Sequence, residues 1–164
     1  MRNLVIFFLL GTVLAPTSLN ARQDAKSFVD RYRNQDGFTV VNVEKQAMGI
    51  MSQFGMTDVF GNADAVQALI FFRPRDIARS NAFKREALNF VETSRYEELI
   101  EVAGVNDTAK IFGKSNGEVI TEIIILNRSN RDAFVEMICV SGKFTLNDVM
   151  SLSGITDNNI AKNQ

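Results

Sequence analysis

Apolar residues recur along this chain at two spacings. Before Tyr96 they fall mostly three and four apart, in stretches broken by short apolar runs. From Tyr96 onward they alternate with polar residues. Asp24 to Arg33 puts Phe28, Val29 and Tyr32 on one side, which predicts a short amphipathic helix. Asn34-Gln35-Asp36-Gly37 is a turn signal, and the β-branched stretch Phe38–Val43 predicts a strand. Ala47, Met51 and Phe54 return to helical spacing, with Gly55 as the stop. Asp58 to Asp64, carrying Gly61 and Asn62, reads as a loop. The unbroken run Ala68–Phe72 predicts a buried strand closed by Pro74. Asp76 to Ser94 then forms the main helix, with Phe83, Ala87, Phe90 and Val91 as its apolar stripe.

The alternating half divides into four strands: Tyr96–Ala103, Thr108–Phe112, Val119–Leu126 and Ala133–Val140. Ser115-Asn116-Gly117 is a hairpin turn, because Asn-Gly tolerates positive φ. Arg128 to Asp132 is a polar turn. Thr145 fits a helix N-cap with Asp148 three residues on. Leu146, Val149 and Met150 would be the buried side of that helix, Gly154 its end, and Asn158–Gln164 a frayed tail. Successive strands with short polar turns make an antiparallel meander. The expected fold is α+β: a mostly antiparallel sheet with a C-terminal four-strand meander and helices packed on one face. Nothing marks a linker or a repeat, so residues 22–164 read as a single globular domain.

The first 21 residues read differently. Arg2 supplies a positive start, Leu4–Ala15 is almost wholly apolar, and Pro16, Thr17 and Ser18 end the run. This is the layout of a signal peptide, with cleavage expected after Ala21. Cleavage after Ala15 is opposed by Pro16, which lacks a backbone N–H. The apolar run is well short of the roughly 20 residues that a membrane span needs, which argues against an uncleaved anchor. No cysteine follows the run to accept a lipid. The expectation is an exported protein, periplasmic or secreted, not lipid-anchored and without a transmembrane span once the signal is removed.

Composition narrows the chemistry. With 18 basic and 19 acidic residues the chain has a net charge of −1, which opposes nucleic-acid binding through clustered positive charge. The single cysteine, Cys139, precludes an internal disulfide, and its apolar surroundings in sequence mark it as a buried small hydrophobe. The absence of histidine removes imidazole triads, the usual zinc ligands and the commonest general base. No catalytic, cofactor or metal residues are expected.

The remaining candidates are sparse. Gly113-Lys114-Ser115 resembles the end of a phosphate loop, but Thr108 stands where the first glycine belongs, so it reads as part of a hairpin. Glu122 and Glu136 both occupy even positions on neighbouring strands. An even pairing register would place them on one face, as an acid/base pair or a cation site; solubilising charges are the plainer reading. Arg73, Arg75 and Arg79, with Lys84 and Arg85, form the most basic stretch. They are candidates for binding a phosphate, an anionic glycan or an acidic partner, against the plainer reading of a solvated loop and helix face. Asp107-Thr108-Ala109, in an expected exposed turn, makes Thr108 a candidate O-glycosylation acceptor. Met48, Met51 and Met56 cluster around one helix and read chiefly as core.

Three segments carry a family resemblance. They are Asp36-Gly37-Phe38-Thr39-Val40-Val41-Asn42-Val43 leading into Met48–Met51, Ser94-Arg95-Tyr96-Glu97-Glu98-Leu99, and Val119–Asn127 with Phe134–Gly142. Together the chain resembles domain-of-unknown-function family 4252, small exported proteins of Gram-negative bacteria. The resemblance implies an exported location and this fold, and no catalytic residues. Many members resemble lipoproteins, and this chain departs from them in lacking the acceptor cysteine. The expected function is a non-catalytic binding or interaction module of the cell envelope, with an envelope protein or a glycan as partner. The alternatives are a carrier of a small apolar ligand and a carboxylate-dependent hydrolase.

Overall fold

A computed structural model describes residues 24–47, 61–73, 75–104, 107–129 and 134–152. Six strands form one sheet: β1 (Phe38–Glu44), β2 (Ala63–Phe72), β3 (Glu97–Ala103), β4 (Asp107–Asn116), β5 (Val119–Ser129) and β6 (Phe134–Phe144). Their spatial order is β1-β2-β6-β5-β4-β3, and every pairing is antiparallel. The helices are α1 (Ala25–Asp30), α2 (Ile77–Thr93) and α3 (Leu146–Leu152). The class is α+β. The chain builds the β1–β2 edge, crosses through α2 to the far edge, and returns as a four-strand meander until β6 docks on β2.

Local chemistry sets the helix ends. The Asp76 side chain accepts the Arg79 N–H at 3.1 Å and caps α2. At its other end the Tyr96 N–H bonds the Val91 carbonyl and the Arg95 N–H bonds the Glu92 carbonyl. This Schellman arrangement needs a left-handed residue, and Arg95 supplies it at φ 62°. Thr145 and Asp148 form a reciprocal capping box. The Thr145 N–H donates to the Asp148 carboxylate at 2.7 Å, and the Asp148 N–H donates to the Thr145 hydroxyl at 3.3 Å.

Strand alternation divides the apolar side chains between two sheet faces. On the first face α1 and α2 bring Phe28, Phe83 and Phe90 against Leu69, Phe71, Ile124 and Met137. Rings there pack closely, with the Phe28 and Phe90 centroids 4.5 Å apart and those of Phe38 and Phe83 5.0 Å apart, edge to face. On the second face Ile111, Ile123, Val140 and Phe144 pack with Val149 of α3.

The placement of α3 adds to the expected picture of helices on one face: α1 and α2 share a face, and α3 contributes to the other. Among the described side chains of α3, Val149 is the deeply buried one. Leu146 and Met150, expected on its inner side, are 56% and 46% exposed, because this short helix packs on the end of the sheet through Val149.

Several strands are longer than their sequence signals. β2 starts at Ala63 rather than Ala68, because Ala63–Gln67, in which Val66 is the one strong strand former, is paired to β6 on one side and from Ala65 to β1 on the other. β5 runs through Arg128 to Ser129, inside the expected polar turn, and β6 continues to Phe144 for the same reason. The β4–β5 loop is Gly117-Glu118, with Asn116 paired to Val119 inside the ladder. Gly117 alone takes positive φ (68°), so this turn needs glycine first rather than an Asn-Gly pair. Residues 45–47 are helical. The rest of the expected helix through Met51 and Phe54, Met48 and Met56, the leader with Ala21, and Gly154 with the tail lie outside the described residues.

Candidate functional site

A concavity lies on the first face, where α1 begins beside one end of β2, β5 and β6. Its volume is about 340 Å³. Ala65, Ile124 and Cys139 contribute apolar wall, and Asp24, Gln67, Tyr96, Glu122 and Ser141 contribute polar atoms. It is half open to solvent at its rim of Asp24, Lys26 and Glu44.

Three side chains organise its wall. The Schellman turn after α2 aims Tyr96 across the end of the sheet, and its phenol donates to Glu122 Oε2 at 2.5 Å. Lys114, the ladder partner of Glu122 on β4, lies 3.4 Å from Glu122 Oε1. The Lys114 ammonium also sits 4.9 Å from the Tyr96 ring centroid, a cation–π distance. Burial, reinforced by the Glu122 carboxylate that accepts its hydrogen bond, pushes the Tyr96 phenol well above the ordinary tyrosine range. Burial likewise pushes the Cys139 thiol up to about 12, with Glu122 adding to the shift. The Ser27 N–H donates to Asp24 Oδ1 at 2.6 Å and holds that carboxyl below its usual value.

The groove's thiol and phenol are shifted away from their charged forms, and both Glu122 oxygens are engaged. The groove offers an apolar floor with fixed polar groups at its wall and rim.

The two glutamates do not converge. Glu122 aligns with Ser141 and Asn127 aligns with Glu136, so aligned residues of β5 and β6 have opposite parity. Two even-numbered residues then project to opposite faces. Glu122 sits on the first face with Ile124, whereas Glu136 sits on the second, where Asn127 Nδ2 donates to it at 2.9 Å. The even register that would have joined them does not occur, and the plainer reading of two separate charges is left.

The arginines are dispersed as well. Arg73 is paired with Asp36. Arg79 lies over the Phe38 and Phe71 rings, 5.7 and 5.8 Å from their centroids. Arg75 is exposed, in the left-handed region at φ 74°. Lys84 is pushed below the usual lysine range by burial, and Arg128 and Lys110 act in the same direction. Thr108 lies inside β4, aligned with Ala103 and Arg128, rather than in an exposed turn. It is half-buried beside a shallow depression of about 320 Å³ lined by Val102, Ala109 and Phe134. Gly113-Lys114-Ser115 is also strand, with no helix after it.

Sequence reasoning missed Tyr96 and Lys114. Counting back from the Gly117-Glu118 loop would align Lys114 with Thr121. A bulge between Lys114 and Ser115 moves its partner to Glu122. Among the described residues no helix is long and apolar enough to cross a membrane, and no three acidic or thiol side chains gather as a metal cluster.

A family model described as a domain of unknown function (DUF4252) matches residues 32–152. No curated protein and no solved structure matches the chain.

Proposed function

The chain belongs to the DUF4252 family, and from that premise we propose that it is an exported cell-envelope protein that binds a partner rather than turning over a substrate. The observation that supports this reading best is the state of the groove beside α1. Its thiol and phenol are both shifted away from reactivity, and its carboxylate is committed to Tyr96 and Lys114. Such a surface recognises by shape and fixed charge. The leader Leu4–Ala15 supports the location. The partner is an envelope protein or a glycan, and the groove is its contact surface.

The alternatives find less support. The sheet faces are filled with side chains, and the concavity has charged residues at its rim, which suits a small apolar cargo poorly. A carboxylate hydrolase would need Glu122 and Glu136, or another acidic pair, to converge in a cleft, and Glu122 and Glu136 face opposite ways.

Two measurements test the proposal. Mass spectrometry of the protein from a fractionated host should find an N-terminus at Arg22 in the envelope or medium; an intact Met1 on cytosolic material would overturn the location. A photo-crosslinking residue placed at Gln67 should capture one reproducible envelope partner, and Lys114→Glu should abolish that capture. Repeated empty captures, or a hydrolytic activity lost in Glu122→Gln, would overturn the binding role.

A further inference from the structure

The two edges of the sheet are protected unequally. β3 carries Glu97, Glu98 and Glu101 and a bulge between Glu98 and Ile100. Charges and bulges are the usual means of keeping an edge from pairing. β1 has neither. Its pairing with β2 is regular over all seven residues, and its sole charge is the terminal Glu44. Among the described residues no strand lies beyond it.

The hydrogen-bonding phase of β1 is fixed by its inner partner. The Phe72 N–H donates to the Gly37 carbonyl. Antiparallel ladders alternate, so residues 39, 41 and 43 point their backbone groups toward β2. Val40, Asn42 and Glu44 then direct theirs outward.

We propose that β1 is a self-pairing edge, joining a second copy of this chain antiparallel about a two-fold axis at Val41. In that register Val40 faces Asn42 and Phe38 faces Glu44, so every facing pair of even residues consists of outward-directed groups. Val41 meets Val41 in a non-hydrogen-bonded pair, where side chains approach most closely.

Two observations favour a second copy over a foreign strand. The first is charge. Asp36, paired with Arg73, precedes β1 and Lys45, paired with Asp64, follows it, and all four side chains stay largely open to solvent, where such pairs are weak and exchangeable. Antiparallel self-pairing brings each Lys45 beside the partner copy's Asp36 end, whereas parallel pairing would set like against like. The second is continuity on the second face. Ile100, Ile111, Ile125, Ile138, Ala68 and Val41 align in one apolar row across all six strands. The row ends at Val41, which is 42% exposed. A two-fold there continues it unbroken into the second copy, in the isologous contact of a symmetric dimer.

The test uses protein purified after expression of the full gene, followed by analytical ultracentrifugation over a range of concentrations. A dimer that dissociates on dilution is expected. Asn42→Pro removes an outward N–H at an edge site where proline is tolerated, and should weaken the dimer by on the order of ten-fold or more without loss of the fold. Lys45→Glu should weaken it as well, and adding Asp36→Lys should restore it. Val41→Cys should form an intermolecular disulfide on mild oxidation, since facing residues in such a pair lie within bridging distance, whereas Asn42→Cys should not. A monomer up to the solubility limit, or a dimer indifferent to Asn42→Pro in which Val41→Cys stays unbridged, would overturn the proposal.

Discussion

The Tyr96 phenol donates to Glu122 at 2.5 Å and so ties the end of α2 to the middle of the meander. The chain has only two tyrosines, and each makes this kind of bond: Tyr32, just after α1, donates to Glu86 of α2. The pair fastens α1 to α2 and the α2–β3 junction to the sheet.

Removing the Tyr96 hydroxyl should therefore cost stability and change its pH dependence. Tyr96→Phe leaves a partly buried carboxylate short of a donor and should lower unfolding free energy by about 1–3 kcal/mol. Burial and the glutamates raise both phenols above the usual 10.0 in the folded state. Their contribution is thus complete below pH 10 and is lost as pH climbs beyond it. Denaturant midpoints measured upward from neutral pH should fall in the wild type and fall less steeply in Tyr96→Phe. Equal slopes would count against the bond.

Arg95 should be an easy site to improve. It holds the left-handed position that closes α2, at φ 62°, where a side chain is unfavourable by about 1–2 kcal/mol. Its side chain is exposed. Arg95→Gly should raise stability by about 0.5–1 kcal/mol after glycine's greater unfolded-state entropy is subtracted. Thermal unfolding reads the change directly, and a fall in midpoint would contradict the assignment of that turn.

The capping box of α3 should matter beyond its length, because it holds Val149 against the second face. Thr145→Ala should cost about 1 kcal/mol. The Thr145 backbone N–H, followed by its hydroxyl, keeps the Asp148 carboxyl below 3.8, and Ser27 does the same for Asp24. Both contributions are present above that value and are lost as pH falls below it. Each is small because both carboxylates lie close to solvent. Acid titration of the fold should show a shallower loss in Thr145→Ala than in the wild type.

Two glycines should respond differently to alanine. A Cβ at Gly142 would lie 2.3 Å from the Asn62 carbonyl oxygen, a backbone atom, and 2.7 Å from the Phe144 ring. At Gly113 the nearest obstacle is the tip of Leu99, at 2.6 Å. A leucine tip can turn aside and a carbonyl fixed in the fold cannot. Gly142→Ala should cost about 2–3 kcal/mol and Gly113→Ala about 1 kcal/mol or less. Chemical denaturation of the two variants checks the order.

Cys139 should be inert until the protein opens. It is buried among the first-face apolar residues, with its thiol pushed to about 12. A thiol reagent at neutral pH should label the native protein only at the rate of unfolding, and denatured protein at once. Rapid labelling of the native state would show that reagent reaches the thiol through the groove wall.

The strand signals at Phe38–Val43 and the stripe Phe83, Ala87, Phe90 and Val91 are local patterns, and each became the element it predicts. Thr145 with Asp148 is equally local, and the capping box formed as spelled. Residues 63–67 became strand only because neighbours on either side offered ladder partners. No periodicity in Ala-Asp-Ala-Val-Gln could have announced that.

The candidate groove was legible in fewer of its parts. Glu122 was visible as a charge between isoleucines, and Cys139 as a small apolar residue. The meeting of Tyr96, Lys114 and Glu122 was not, because it depends on a bulge that offsets β4 by one residue and on a left-handed turn that aims a ring. The separation of Glu122 from Glu136 hangs on a single step of register, to which composition is blind.

By itself, then, the order of residues determined which segments coil, which extend and where helices stop, since these are short-range preferences carried by side chains three or four positions apart. Which charges meet, which face each glutamate takes and which of the described strands lie outermost in the sheet were decided by strand pairing across long stretches of chain. There the free energy belongs to the assembled sheet and to no segment alone.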